Sequence, residues 1–244
     1  MTLFSRKPPT NSSSKPCGSS ELTRIRVGGL ELLADLSGAL HAPDYRALLV
    51  ADLHFEKGSS GARRGAHLPP YDTRSTLKTL MEAIERHRPE RLLALGDSFH
   101  DRAGPERLDE IDRAAIGTLG NAVDVMWITG NHDPALPASL GGRIAAEIAL
   151  GPVMLRHEPR AGATWEIAGH LHPVAQITRR GRNLRRKCFI GDGGRLVMPA
   201  FGAYTGGLNV LSAPFGVLFP ERRFRVWMIG GRAIHVFPSD RISP

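Results

Sequence analysis

The chain has 244 residues, 41% of them hydrophobic, which is enough for one well-buried α/β domain and too apolar for a disordered chain. No apolar run reaches the roughly 20 residues of a membrane span, and the Ser- and Pro-rich start lacks the apolar core of a secretory signal, so a cytoplasmic protein is expected. Two cysteines, Cys17 and Cys188, give no disulfide framework, while a formal charge of +8 and a pI near 10.2 suit a polyanionic partner or simply an arginine-rich solvated surface.

Residues 1–22 read as a flexible Ser/Pro-rich tail, and 23–244 as one domain without internal repeats. Two short β-like runs flank Gly28-Gly29. Arg46 to Ala51 is a buried strand. Thr73 to His87 is a helix whose apolar face carries Leu77, Leu80, Met81 and Ile84. Arg91 to Leu95 is the next strand, Leu108, Ile111, Ala115 and Leu119 mark a second amphipathic helix, and Val123 to Thr129 is a third strand. Short β runs then follow at 145–150, 153–156, 165–168, 174–178, 187–190, 195–197, 224–229 and 233–237. Alternation in the first half predicts βαβ units, and the second half is nearly all β, so sheets packed face to face with helices outside are expected.

The informative polar residues stand where apolar strands stop. The first strand runs into Asp52-Leu53-His54, and the second into Gly96-Asp97-Ser98-Phe99-His100-Asp101. The third runs into Gly130-Asn131-His132-Asp133, and 165–168 into Gly169-His170-Leu171-His172. Sites in open α/β sheets gather beyond the carboxyl ends of strands, so these loops can converge. Carboxylate, amide and imidazole groups without a thiolate set favour Mn, Fe, Zn or similar divalent ions. Strand alternation is expected to put Asp52 with His54, and His170 with His172, on one side. Taken singly, each would pass for a turn or edge-strand residue; their joint order points to a metal site.

These blocks, with a lone His157, resemble the calcineurin-like metallophosphoesterase superfamily over roughly residues 46–173. The resemblance implies a four-layer α/β/β/α sandwich. It also implies a dinuclear centre in which Asp52, His54 and His172 hold one ion, Asn131, His157 and His170 hold the other, and Asp97 bridges them. Such ions lie roughly 3.5–4 Å apart and activate a water to attack phosphorus. Here Arg156-His157 stands where the superfamily usually has a Gly-His pair, and His100 stands where many members have Asp. The run Leu49 to Gly58, with Gly-Asp-Ser-Phe-His-Asp, is similar to the ligase-associated DNA damage response endonuclease family, PdeM. That similarity implies Mn-dependent hydrolysis of single-stranded DNA, with Fe, Zn or Co as alternative ions. It also implies a setting shared with an ATP-dependent DNA ligase, a helicase and an exonuclease-like protein. His132 is expected to stabilise the transition state or protonate the leaving oxygen, His100 to orient His132 or a phosphate, and Asp133 to fix the His132 tautomer. His41, His67, His87 and His235 lie outside the motifs and read as surface or packing residues.

The segment Arg179 to Lys187 is expected to be a hairpin loop. Arg179, Arg180, Arg182, Arg185, Arg186 and Lys187 are candidates for nucleic-acid backbone contacts, against the alternative of a solvated loop. Gly58 to Gly61, before Arg63-Arg64, reads as a loop or lid. Three functions follow: a nuclease, a phosphodiesterase or phosphatase for small nucleotides, and a non-catalytic scaffold, against which the complete ligand set argues.

Overall fold

The computed structural model describes residues 2–4, 23–63, 65, 69, 71–179 and 181–244. Its elements, in chain order, begin with strands β1 (Thr2–Phe4), β2 (Thr23–Val27), β3 (Leu30–Ala34), β4 (Leu40–Ala42) and β5 (Ala47–Val50). Helices α1 (Lys57–Ala62) and α2 (Asp72–His87) lead to β6 (Arg91–Leu95), and α3 (Gly104–Arg107) and α4 (Glu110–Ala122) lead to β7 (Asp124–Ile128). Strands β8 (Arg143–Ala145), β9 (Glu147–Leu150), β10 (Val153–Arg156) and β11 (Glu166–Ala168) follow. Next come β12 (Pro173–Arg179), β13 (Arg182–Gly191), β14 (Arg195–Val197) and β15 (Leu208–Asn209). Helix α5 (Ala213–Leu218), β16 (Arg225–Ile229) and β17 (Ile234–Pro238) close the fold.

Strands β2 to β8 form one sheet in sequence order, antiparallel from β2 to β5 and parallel from β5 to β8. Helical crossovers join β5 to β6 and β6 to β7, and the long connection 129–142 joins β7 to β8, since parallel neighbours cannot be joined by a tight turn. The second sheet runs β1-β9-β10-β11-β14-β13-β12-β15, with β16 and β17 added beside β13. The period-two pattern of β5, β6 and β7 explains why both faces are covered. Leu49, Leu93 and Met126 pack into the core between the sheets, whereas Leu48, Leu92 and Val125 pack against α2 and α4. Phe215 and Leu218 of α5 cap the far face of the second sheet over Cys188 and Val226. The four-layer α/β/β/α order expected from the resemblance is therefore the observed one, with a thin fourth layer.

Some local expectations change. Met81 and Ile111 are exposed, because the buried faces of α2 and α4 are completed by Ala83 and Ile116 instead. The run 145–150 divides into β8 and β9, which belong to different sheets. Gly58 to Gly61 is not a loop but the body of α1, held where Asp72 Oδ2 accepts the Gly58 N–H at 3.0 Å. Within the segment read as a tail, Thr2–Phe4 pairs with β9; residue 1 and residues 5–22 lie outside the described residues, as do Arg64, His67 and Arg180. Among the described residues, no helix is long and apolar enough to cross a membrane.

Candidate metal centre

The loops after β5 and β6 stay zipped together beyond their strands. Gly96 O accepts the Asp52 N–H, Asp97 O the His54 N–H and Ser98 O the Phe55 N–H, at 3.2, 2.9 and 2.8 Å. The ligand pairs do not converge through strand pleating, as the sequence suggested, because these residues lie past the strand ends. Asp52, His54, Asp97, His170 and His172 instead have φ of 55°, 46°, 46°, 69° and 45°. Left-handed backbone at non-glycine residues costs about 1–3 kcal/mol each and persists only where the surroundings enforce it. Here it turns one side chain after another into the same space. The glycine at 130 is required by close approach: a Cβ there would lie 2.1 Å from Asp97 Oδ1.

Two groups of ligand atoms result, one from Asp52, His54 and His172 and the other from Asp97, His157 and His170. In the first, His54 Nε2 faces His172 Nε2 at 3.1 Å, and His172 Nε2 lies 3.3 Å from Asp52 Oδ1. In the second, His157 Nε2 lies 2.8 Å from Asn131 Oδ1, 3.2 Å from His170 Nδ1 and 3.3 Å from Asp97 Oδ1. His170 Nδ1 is also 2.9 Å from Asn131 Oδ1. The Asp97 carboxylate looks both ways, since its Oδ2 lies 3.9 Å from His54 Nε2. The position suits a shared ligand.

The donor set fits divalent cations. His157 Nδ1 donates to Leu95 O at 3.1 Å, so an Nε2 that gives up its proton turns a lone pair toward the other candidate donor atoms. Burial alone would lower the His157 pKa, but the Asp97 and Asp52 carboxylates raise it to about 9. Asp97, which burial would raise, is brought down to about 2 chiefly by His157. The pocket thus calls for positive charge. His54 is the opposite case: burial, and then His172, lower it to about 2, so its ring is neutral and able to ligate.

Around these groups the structure assigns different work from that expected. Asp133 does not touch the His132 ring; it accepts the N–H of Gly130 at 2.9 Å and of Phe99 at 3.0 Å, tying two ligand loops together. The His132 tautomer is set by the backbone carbonyl of His100, 2.8 Å from His132 Nδ1. The His100 ring stacks on His132 and places its Nδ1 3.3 Å from His54 Nδ1, against the imidazole of a candidate ligand. His132 Nε2 stands 3.8 Å from Asp97 Oδ2 with its side chain 40% exposed, at the open side of the centre.

The basic segment is also different. It is not a loop: Arg182, Arg185, Arg186 and Lys187 lie in β13, paired in register with β12 directly after His172. Lys187 is turned inward, contrary to the expectation that it contacts a nucleic acid. Its Nζ donates to Ala200 O, Gly202 O and Thr205 Oγ1 at 2.8, 3.0 and 2.9 Å. That ammonium pins the loop whose Gly202 N–H bonds Asp52 O. Arg182, Arg185 and Arg186 are exposed, Arg185 donating to Gly207 O at 2.7 Å; the Arg179 side chain lies outside the described residues. Sequence reasoning missed Glu56 and Arg107. Buried Glu56 accepts from Thr73 and Ser59, and Arg107 braces Asp101 through both terminal guanidinium nitrogens. The left-handed φ of Glu56, which would have marked it, is invisible in sequence.

A four-layer sandwich with paired His/Asp groups at its strand ends is the frame of a metal-dependent phosphoester hydrolase. The calcineurin-like phosphoesterase family model matches residues 45–187, and the chain belongs to that family. The crystal structure of Pseudomonas putida nuclease MPE is similar, with a TM-score of 0.66 and 31% identity over 89% of this chain and 100% of that one. Yfce, a phosphoesterase from E. coli, matches with a TM-score of 0.40 and 14% identity over 78% of this chain and 97% of that one. No curated protein matches the chain.

Proposed function

We propose that this phosphoesterase is an endonuclease that cuts single-stranded DNA in bacterial DNA repair, with two Mn²⁺ ions as its cofactors. The observation that carries the reading is continuity: β12 leaves ligand His172 directly and pairs with β13, whose exposed Arg182, Arg185 and Arg186 extend from the centre. Guanidinium groups along such a ridge suit a polyphosphate backbone, independent of base sequence. The similar Pseudomonas putida protein is a nuclease, which supports the same reading. A repair setting would place the chain in the cytoplasm beside an ATP-dependent DNA ligase, a helicase and an exonuclease-like protein.

Asp52, His54 and His172 would hold one ion, and Asn131, His157 and His170 the other, with Asp97 shared. Bound ions of this kind supply Lewis acidity and a water acidic enough to lose its proton near neutral pH. His132 does the work that belongs to the chain itself. With Nδ1–H committed to His100 O, a protonated Nε2 presents its hydrogen to solvent and to an arriving phosphodiester. Buried Asp133 keeps the His132 loop fixed relative to Asp97, whose Oδ1 accepts the His132 N–H at 2.9 Å.

The test is cleavage of closed circular single-stranded DNA in Mn²⁺, with an aryl phosphodiester assayed in parallel. A linearised circle is the expected result. An intact circle with rapid diester turnover would transfer the proposal to small nucleotides, which the same centre could also hydrolyse.

A further inference from the structure

A second basic feature lies away from the metal centre. The candidate ligands follow the carboxyl ends of β5, β6, β7, β10 and β11, whereas this feature lies near the amino end of β11, where the Glu166 N–H bonds Gly194 O. There a groove of about 670 Å³ is lined by Arg24 and Arg26 from one sheet and by Arg223 and Arg225 from beside the other. Its floor includes Trp227, buried in the core between the sheets. Among the described residues, one carboxylate, Asp192, lines the groove, and its Oδ1 accepts backbone N–H groups of Gly194 and Arg195. Arg24 and Arg26 meet Glu31, and Arg223 meets Glu221, but these are exposed pairs, which contribute little and exchange readily.

Trp165, outside the groove lining itself, packs on the backbone next to it. Trp165 is 51% exposed, unlike Trp127 and Trp227, which are buried. Its indole covers Gly28, where a Cβ would come within 2.8 Å of the ring, and the Gly28 N–H bonds Gly193 O in the groove wall. The φ of Trp165 is 54°, a left-handed conformation that a bulky residue adopts only when its surroundings impose it. The core gains little from a half-exposed indole held in that way. Guanidinium groups and an exposed aromatic ring on one face are the two elements that bind single strands without sequence preference: charge for the backbone and a π face for a base.

We propose that this groove is a secondary binding site for single-stranded nucleic acid, with the four arginines on the phosphates and Trp165 stacked on a base. The proposal rests on the reading of the chain as acting on nucleic acid. It gives a strand two holds on one molecule, so that the segment near the metal centre is retained between cuts. Trp165 and ligand His170 lie at opposite ends of β11, five residues apart, so the two sites are separated by no more than about 18 Å of extended chain.

The probe is a hydrolysis-resistant phosphorothioate oligothymidylate, titrated while tryptophan emission is followed. The wild-type chain should show quenching, and Trp165→Phe should lose most of it. Arg223→Ala/Arg225→Ala should weaken binding about tenfold and make the slope of log K against log salt shallower by about 1.4, at roughly 0.7 for each phosphate contact. Both variants should hydrolyse a small aryl phosphodiester at the wild-type rate, which shows them folded and their centres intact. Binding and cleavage of DNA by wild type, with quenching and affinity unchanged in the variants, would overturn the groove assignment and leave the nuclease reading standing. No oligonucleotide binding and no DNA cleavage by wild type would remove both.

Discussion

The Nδ1 atom of His132 lies 2.8 Å from the carbonyl oxygen of His100, and its Nε2 atom lies 3.8 Å from the Asp97 carboxylate. A backbone acceptor cannot be removed by changing a side chain, so the tautomer of His132 survives substitution at position 100. The free nitrogen is the one beside the centre. His132→Ala should therefore keep its metal content and lose about 10²–10⁴-fold in kcat, the usual worth of one general acid. Metal analysis beside diester kinetics checks this; a metal-depleted variant would make His132 a ligand instead.

Gly130→Ala tests the packing of the centre. The added Cβ would lie 2.1 Å from Asp97 Oδ1 and 2.3 Å from the Asp97 nitrogen, and rigid backbone cannot yield to it. Overpacking of this kind costs about 1–3 kcal/mol. A reduced urea midpoint together with loss of bound metal is expected, because the group displaced is the carboxylate proposed to be shared by both ions.

Lys187 and its neighbours should separate by assay. Lys187→Met leaves the carbonyls of Ala200 and Gly202 without their ammonium, a loss of about 1–3 kcal/mol measurable by urea denaturation. Arg185→Ala and Arg186→Ala should leave stability within about 0.5 kcal/mol of wild type, since both are exposed, and should weaken DNA binding in a salt-dependent way.

Acid stability should depend on Asp35. It is buried and accepts from Arg86 at 2.7 Å and pairs with His87 at 2.8 Å. Burial alone would raise its pKa, but His87, Ser37 and Arg86 hold it well below the carboxylate range. The folded pKa is depressed, so its contribution is complete above the unfolded value of about 4 and lost as pH falls through the folded one. Asp35→Asn should cost about 3 kcal/mol at neutral pH and flatten the stability profile below about pH 4, as thermal unfolding across pH would show.

The sequence showed the first sheet well because its strands are short apolar runs, each ended by a polar cluster: Arg91 to Leu95 coincides with β6. It showed which ligand types would meet, since Asp52, Asp97, Asn131 and His170 follow separate strands. It could not show how they meet. The left-handed turns at Asp52 and His172 are set by hydrogen bonds between loops distant in sequence, such as Asp52 with His170. Lys187 reads like its arginine neighbours, because only the loop at 200–205, folded over it, makes it an interior residue. Ile111 has the spacing of a core residue, yet Ile116 occupies the buried face of α4.

The most direct test of the dinuclear account is electron paramagnetic resonance of the chain loaded with Mn²⁺, alongside metal analysis and diester turnover, for wild type and Asp97→Ala. The account requires two ions per chain with a spin-coupled signal in wild type. In folded Asp97→Ala, the coupling and the hydrolysis should disappear together. One ion per chain, two uncoupled ions in wild type, or an active Asp97→Ala enzyme would contradict it.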